Sequence, residues 1–358
     1  MPDTLDRLKS RPRPGDRGCL MDVKRYILRR SLHESRSLRW PLGFRRLHGS
    51  SKERAFNPVR SSKARMNTWS PSYTLRTDAP PPVAWASYAE SASDALGRLL
   101  ESEPDERRIQ EFLERNPCFV PGAWTPGVKS GHYPLHCALI TQPRLVGLDG
   151  RQPDFMWLAT HSETWYPTLI EIEGPDKALF TKKGSPTAGF TQARHQLAQW
   201  ASWLNTAANL QKFAVDCGIQ DIYTRYKTLQ PHFVLTYGRR REVEDRPDLS
   251  KELSGLLPGP NEDLVSYDRL SPDADLSQAI TVKATAPGQY EALHVLPTLT
   301  LGPLLADRLL SVTAMEDAIA GCWQMPPERR EFLVSRLEYW REWAQQEGSR
   351  KARLNDFE

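Results

Sequence analysis

Apolar positions recur at helical spacing over residues 84–101, where Tyr88, Ala92, Ala95, Leu96, Leu99 and Leu100 repeat three or four apart. The spacing predicts an amphipathic helix. A second helix is expected to open at Pro104-Asp105-Glu106, present Ile109, Phe112 and Leu113 on one face, and stop at Asn116-Pro117. Residues 118–150 are rich in Pro and Gly, which favours short strands and loops over helix. Two extended runs follow, 153–160 and 166–173, joined by the polar turn His161-Ser162-Glu163, and they read as a hairpin. Residues 189–210 read as one helix, 231–238 as a buried strand, and 262–267 as a further short strand. Pro326-Pro327-Glu328 is a good helix start, followed by Phe332, Leu333, Leu337, Trp340 and Trp343 at helical spacing. Residues 302–322 are expected to be its antiparallel helical partner. Helices and strands in this order predict a mixed α/β core.

Charge changes the picture only at the N-terminal end. Residues 1–65 hold 18 Lys and Arg against 6 Asp and Glu, a balance of +12, whereas the remainder holds 30 against 38, a balance of −8. A basic Arg-, Ser- and Pro-rich arm without apolar period reads as a disordered tail or a non-native upstream extension, with Met66 as the alternative start. Such an arm can also hold nucleic acid through phosphates. It lacks the apolar core of a secretory signal. The expected organisation is an arm at 1–65, a helical lead-in at 66–100, an α/β domain at 101–275 and a helical C-terminal region at 276–358. No continuous apolar run of membrane-spanning length is present, so no membrane partner is expected. The 5 cysteines form no CxxC pair, which argues against a zinc site or a disulfide framework and suits a reducing cytoplasm.

The candidate chemistry lies at 152–200. Asp154 leads one apolar run, and Glu171 and Glu173 stand two apart in the next. Residues two apart on a strand share a face, so Glu171 and Glu173 point together while Ile170 and Ile172 point into the opposite layer. A hairpin can set Asp154 beside Glu171. Converging carboxylates repel one another and invite a divalent cation, and Mg²⁺ binds through a few carboxylates, waters and substrate phosphate. A charged, solvated hairpin edge is the competing reading. On the following helix Ala193, Gln196, Trp200 and Trp203 share a face, so Gln196 falls within an apolar stripe, either as a satisfied core glutamine or as a group facing the site.

These segments resemble the PD-(D/E)xK nuclease superfamily, and more closely the Shedu anti-phage nuclease family, over roughly residues 100–345. The likeness rests on Glu106 to Pro117, Pro153-Asp154-Phe155, Ile170-Glu171-Ile172-Glu173-Gly174-Pro175 and Gln192 to Trp200. It extends to Tyr237-Gly238-Arg239-Arg240, Ser266-Tyr267-Asp268-Arg269-Leu270 and Glu338 to Trp343. The resemblance implies a restriction-endonuclease-like core, a mixed sheet flanked by helices. It implies hydrolysis of DNA phosphodiester bonds in defence against phage, with Mg²⁺ or Mn²⁺ as cofactor and no small-molecule substrate. It also implies a homo-oligomer whose paired sites handle both strands. Asp154, Glu171 and the backbone carbonyl of Ile172 would be the metal ligands, and Gln196 matches the helix glutamine near the site.

One position departs from the pattern. The superfamily motif places Lys two residues after the second acid, and Glu173 stands there. A glutamate carries no positive charge to orient water. Lys177, Lys182 or Lys183 can reach in, Glu173 can bind a second cation, or the chain is a catalytically impaired nucleic-acid-binding or sensor module. Glu106, Gln110 and Glu111 are weaker candidates for one more acid or polar group from the opening helix. Arg239, Arg240 and Arg241 are candidate phosphate contacts or a solvated turn. His195 is expected at the surface, and the tryptophans at helical spacing are expected in packing.

Overall fold

A computed structural model describes residues 72–124, 132–147, 152–160, 163–220, 228–244, 246, 248–249, 256, 259, 261–347 and 357–358. The basic arm, Met66 and the turn residues His161 and Ser162 lie outside the described residues. Helix α1 spans Trp85–Glu101 and buries Tyr88, Ala92, Leu96 and Leu100 at every fourth position. Helix α2 spans Glu106–Arg115. It starts where the Asp105 side chain accepts the Arg108 N–H at 2.9 Å, a standard N-cap, and it ends before Pro117, which disfavours helix in the residue ahead of it.

The strands are β1 (Ala138–Thr141), β2 (Phe155–Thr160) and β3 (Thr164–Ile172). β2 and β3 form the expected antiparallel hairpin, with Phe155 opposite Ile170 and Met156 opposite Leu169. Helix α3 (Ala188–Leu204) follows, capped by Thr187, and α4 (Ala207–Asp216) succeeds it. The single helix expected over 189–210 is therefore two, parted at Asn205-Thr206. The same apolar period continues through the break, which hides it from a periodicity reading. Then come β4 (Thr228–Leu229), β5 (His232–Thr236), the short helix α5 (Arg241–Glu244) and β6 (Glu262–Val265).

The sheet does not stop at residue 275. β7 (Ile280–Ala286) pairs parallel with β1, and β8 (Gln289–Val295) folds back on it. β9 (Val312–Thr313) adds to β8. The sheet order is β6-β5-β3-β2-β1-β7-β8-β9, with β4 beside β3. The stretch 302–322 is not the helical partner expected. It holds a 3-10 turn at Ala306–Leu310, β9 and only the short helix α6 (Met315–Ala320). The C-terminal helix α7 spans Pro327–Gln346 with Pro at its first position.

Strand alternation divides the interior into two layers. Phe155, Trp157, Ile170, Ile172 and Val234 face α1 and α2. Met156, Leu158, Leu169, Phe233 and Leu235 face α3, α4, α6 and α7, where Trp200, Trp203, Trp340 and Trp343 are packed. β2 and β3 are covered on both faces, so their sequences read as near-continuous apolar runs.

α7 also carries a fully buried cation. The Arg329 guanidinium donates to the carbonyls of Pro80 (2.7 Å) and Leu299 (2.9 Å) and to the Glu358 carboxylate (2.5 Å). Removing one partner strands the other charge in the interior. Arg329→Met should therefore cost about 3–5 kcal/mol, read as a lowered urea midpoint. An unchanged midpoint would show that the pair is not buried in solution.

Candidate active site

The carboxyl ends of β3, β5 and β6 run parallel and finish together, and the start of β2 meets them because β2 is antiparallel to β3. Asp154, Glu171, Glu173 and the residues after Thr236 and Val265 consequently collect at one end of the sheet. Asp154 immediately precedes β2, and one of its carboxylate oxygens accepts the Ile172 N–H at 2.8 Å. The Glu173 N–H turns the other way, to the Thr236 carbonyl at 3.0 Å. In a trans peptide the N–H and the preceding C=O point oppositely. The Ile172 carbonyl therefore aims to the side of Asp154.

Glu171 shares the face of Leu169 and is buried, 8% exposed. Among the described residues its Oε2 has no hydrogen-bond partner. Burial, and next the Asp154 charge, push the Glu171 carboxyl far above the ordinary carboxylate range. Burial also raises Asp154, against the Ile172 hydrogen bond that lowers it. The two behave as a pair that retains a proton where isolated carboxylates have lost theirs.

Glu173 is half-buried, and its carboxylate is ion-paired to Lys177. Lys177 Nζ also lies 3.5 Å from Glu106 at the start of α2. Burial lowers the Lys177 pKa, but the hydrogen bond and charge of Glu173, with Glu106 behind it, outweigh this and raise it. The lysine is held by a tight turn in which its N–H donates to the Gly174 carbonyl at 3.1 Å. Gly238, after β5, backs that turn. Its φ is +61°, and a Cβ there would sit 2.9 Å from the Lys177 carbonyl oxygen, so both conformation and space require glycine.

Of the residues singled out from sequence, Asp154, Glu171, Glu173 and Lys177 come together, and the Ile172 carbonyl faces the same side. Glu106 joins them. Gln110 instead donates to Glu114, and Glu111 pairs with Arg107. Lys182 and Lys183 are exposed and make no hydrogen bond or ion pair to this cluster among the described residues. Gln196 is half-buried on α3, beside buried Ala193 and Leu197, and among the described residues no hydrogen bond links it to the carboxylates. Arg239 is taken up by Asp268 at 2.7 Å and Arg240 pairs with Glu244 at 2.9 Å, while both Arg240 and Arg241 are exposed. His195 is exposed as expected.

Tyr267 was missed as a site residue. It is fully buried, and its hydroxyl donates to the Glu173 carbonyl at 2.6 Å. In the sequence it stands out only as part of the resembling segment Ser266 to Leu270, at the end of a short strand, and neither says where the ring reaches.

Among the described residues no three His, Cys, Asp or Glu side chains form a ready-made metal cage. Two carboxylates and one carbonyl suit a cation that keeps most of its waters, as Mg²⁺ does, rather than one fully enclosed by protein. The unpartnered Glu171 oxygen fits that demand, since a buried carboxylate oxygen without a donor is costly.

The shared proton has a consequence for stability. A carboxyl whose folded-state pKa is raised binds its proton more tightly when folded. Its contribution is most favourable at low pH and is lost as pH rises from the ordinary carboxylate range, near 4, through the raised folded value. In chelator, Glu171→Gln should therefore stabilise the protein at pH 8 by about 1–3 kcal/mol, with a smaller gain at pH 5. Thermal unfolding at both pH values checks this, and an equal gain at both would sink it.

Residues 103–271 match the family described as Shedu protein SduA, C-terminal. No curated protein matches the chain.

Proposed function

From the premise that this chain carries a Shedu SduA C-terminal domain, whose family suggests a role in anti-phage defence, we propose that it is a metal-dependent nuclease acting on DNA. The observation that carries the reading is buried Glu171 beside part-buried Asp154, with a Glu171 oxygen that has no hydrogen-bond partner among the described residues, set by the Ile172 carbonyl at the carboxyl end of the strands. Asp154, Glu171 and that carbonyl would hold Mg²⁺ or Mn²⁺. When bound, such a cation lowers the pKa of a coordinated water and polarises a phosphoryl oxygen.

The rest falls to the chain's own groups. Lys177 supplies the positive charge that the motif position, occupied by Glu173, does not. Its ammonium lies within reach of the incoming phosphate, and it stays protonated because Glu173 and Glu106 favour the charged form. Glu173 is thus the anchor of a lysine that enters from four residues downstream. The buried hairpin excludes water from one side of the carboxylates, which strengthens every electrostatic contact there. A homo-oligomer with paired sites would let the enzyme cut both strands of a duplex.

A nucleic-acid-binding module of the same fold without cleavage is the second reading. It is favoured by Glu173 at the motif lysine position and by the ion pair that occupies Lys177. The deciding test is cleavage of linear, circular and single-stranded DNA in Mg²⁺ by the full chain and by the chain lacking residues 1–65. Mg²⁺-dependent cuts that chelator abolishes support the nuclease. DNA binding without cuts under any divalent cation supports the module instead. Among the described residues no helix is long and apolar enough to cross a membrane.

A further inference from the structure

The ends of β3, β5 and β6 are tied together by a single 3-10 turn, Tyr267–Arg269. The Tyr267 N–H donates to the Gly238 carbonyl at 3.2 Å, just past β5. Its ring is wholly buried and passes from the β6 edge across β5 to β3, where the hydroxyl donates to the Glu173 carbonyl at 2.6 Å. The neighbouring Asp268 faces outward. Its carboxylate accepts the Arg239 side chain at 2.7 Å and the Arg240 N–H at 2.6 Å, so the turn is fastened from both sides.

Glu173 is the residue on which this brace acts. Its N–H is taken by Thr236 and its C=O by Tyr267, so both peptide units around it are fixed. The first unit ends in the Ile172 carbonyl. The second begins the turn whose N–H at Lys177 returns to Gly174. The phenolic hydroxyl acts directly on the unit that begins the Lys177 turn, and through Glu173 on the strand end that carries the Ile172 carbonyl. A buried carbonyl oxygen left without a donor turns toward water, and the Glu173–Gly174 peptide that opens the Lys177 turn moves with it, which loosens the end of β3 beside the Ile172 carbonyl.

We infer that Tyr267 is a positioning residue of the active site, holding the Ile172 carbonyl and the Lys177 turn in register for cation and phosphate. The inference rests on the nuclease reading. Partners that orient metal ligands without touching the metal are typically worth about 10–100-fold in metal affinity or activity. Tyr267→Phe removes the one hydroxyl and keeps the buried ring, so the core packing is retained.

The test compares the full-length protein, Tyr267→Phe and Glu171→Ala. Mg²⁺ binding is measured by titration calorimetry without DNA, and cleavage of a linear duplex is measured as kcat and KM. Tyr267→Phe is expected to weaken Mg²⁺ binding and lower kcat, each about 10–100-fold, with KM for DNA within about twofold and far-UV circular dichroism unchanged. A purely structural tyrosine would lower the melting temperature and leave Mg²⁺ affinity and kcat of the folded fraction untouched, and that result overturns the inference. If Tyr267→Phe does not fold, Asp268→Asn loosens the same turn from outside. A folded Asp268→Asn with weakened Mg²⁺ binding sustains the role, and one with native Mg²⁺ binding and kcat overturns it. Wild-type protein that neither binds Mg²⁺ nor cuts DNA rejects the nuclease reading itself. Native behaviour of Tyr267→Phe beside a silent Glu171→Ala rejects only the role of the tyrosine.

Discussion

Glu171→Ala is expected to reduce Mg²⁺-dependent cleavage by about 10³-fold or more, equivalent to about 4 kcal/mol of transition-state stabilisation. The size follows from what that side chain is placed to do. It is the most buried carboxylate of the cluster, one of its oxygens has no hydrogen-bond partner among the described residues, and Asp154 lies beside it. Removing it leaves a two-ligand site and lifts the repulsion that makes the pair receptive to a cation. The variant should fold well, because a costly buried acid has gone. Asp154→Ala is expected to lose activity to the same degree for a less clean reason. Asp154 also accepts the Ile172 N–H, and a buried donor left unpaired costs about 1–3 kcal/mol in stability. Asp154→Asn keeps an acceptor for that N–H and separates the two effects, since it should restore the melting temperature and not the activity. A folded Glu171→Ala protein that cuts DNA at the wild-type rate would remove the site assignment altogether.

Much of this site is local in sequence, and that is why it was legible. The hairpin places Asp154 opposite Glu171 by strand register, and alternation sends Ile170 and Ile172 to the other layer. Those are period-two consequences that hold wherever the strands pair. Lys177 was also within reach, because it lies one short turn past the strand. Three features were not legible. β7 and β8 join the sheet beside β1, far earlier in the chain, and β7 is buried over Ile280–Val282 and exposed from Lys283 on, so it carries no clean alternation. The break at Asn205-Thr206 leaves the apolar period of the helix intact on both sides. Tyr267 acts across two strands, a distance fixed by the parallel order β3-β5-β6 and by nothing in its own neighbourhood. Local patterns thus reach the candidate ligands, while the groups packed around them come from tertiary pairing.

Lys177→Ala is expected to lower cleavage by about 10²–10³-fold, the usual loss when one preorganised charge aimed at a developing oxyanion is removed. Glu173→Ala should cost less, about tenfold, because Lys177 would keep Glu106 as a partner and still enter the site from the same turn. That ranking separates the two explanations for the missing motif lysine. Were Glu173 a ligand for a second cation, its loss would equal or exceed that of Lys177 and would raise the Mg²⁺ concentration needed for half-maximal rate. Were it only the anchor of Lys177, the Mg²⁺ requirement would stay where it was and the rate alone would fall. The double variant Glu173→Lys/Lys177→Ala carries the argument further, since it moves the cation from the turn back to the strand position two residues after Glu171. That side chain shares the Glu171 face, so a lysine there points toward the same phosphate. Recovery of about tenfold or more over Lys177→Ala would show that the site needs an ammonium group and is indifferent to which residue delivers it. No recovery, in a protein that still folds and binds DNA, would mean that the geometry of the Glu173–Lys177–Glu106 arrangement matters beyond its charge, and that the turn after β3 cannot be replaced by the strand it follows.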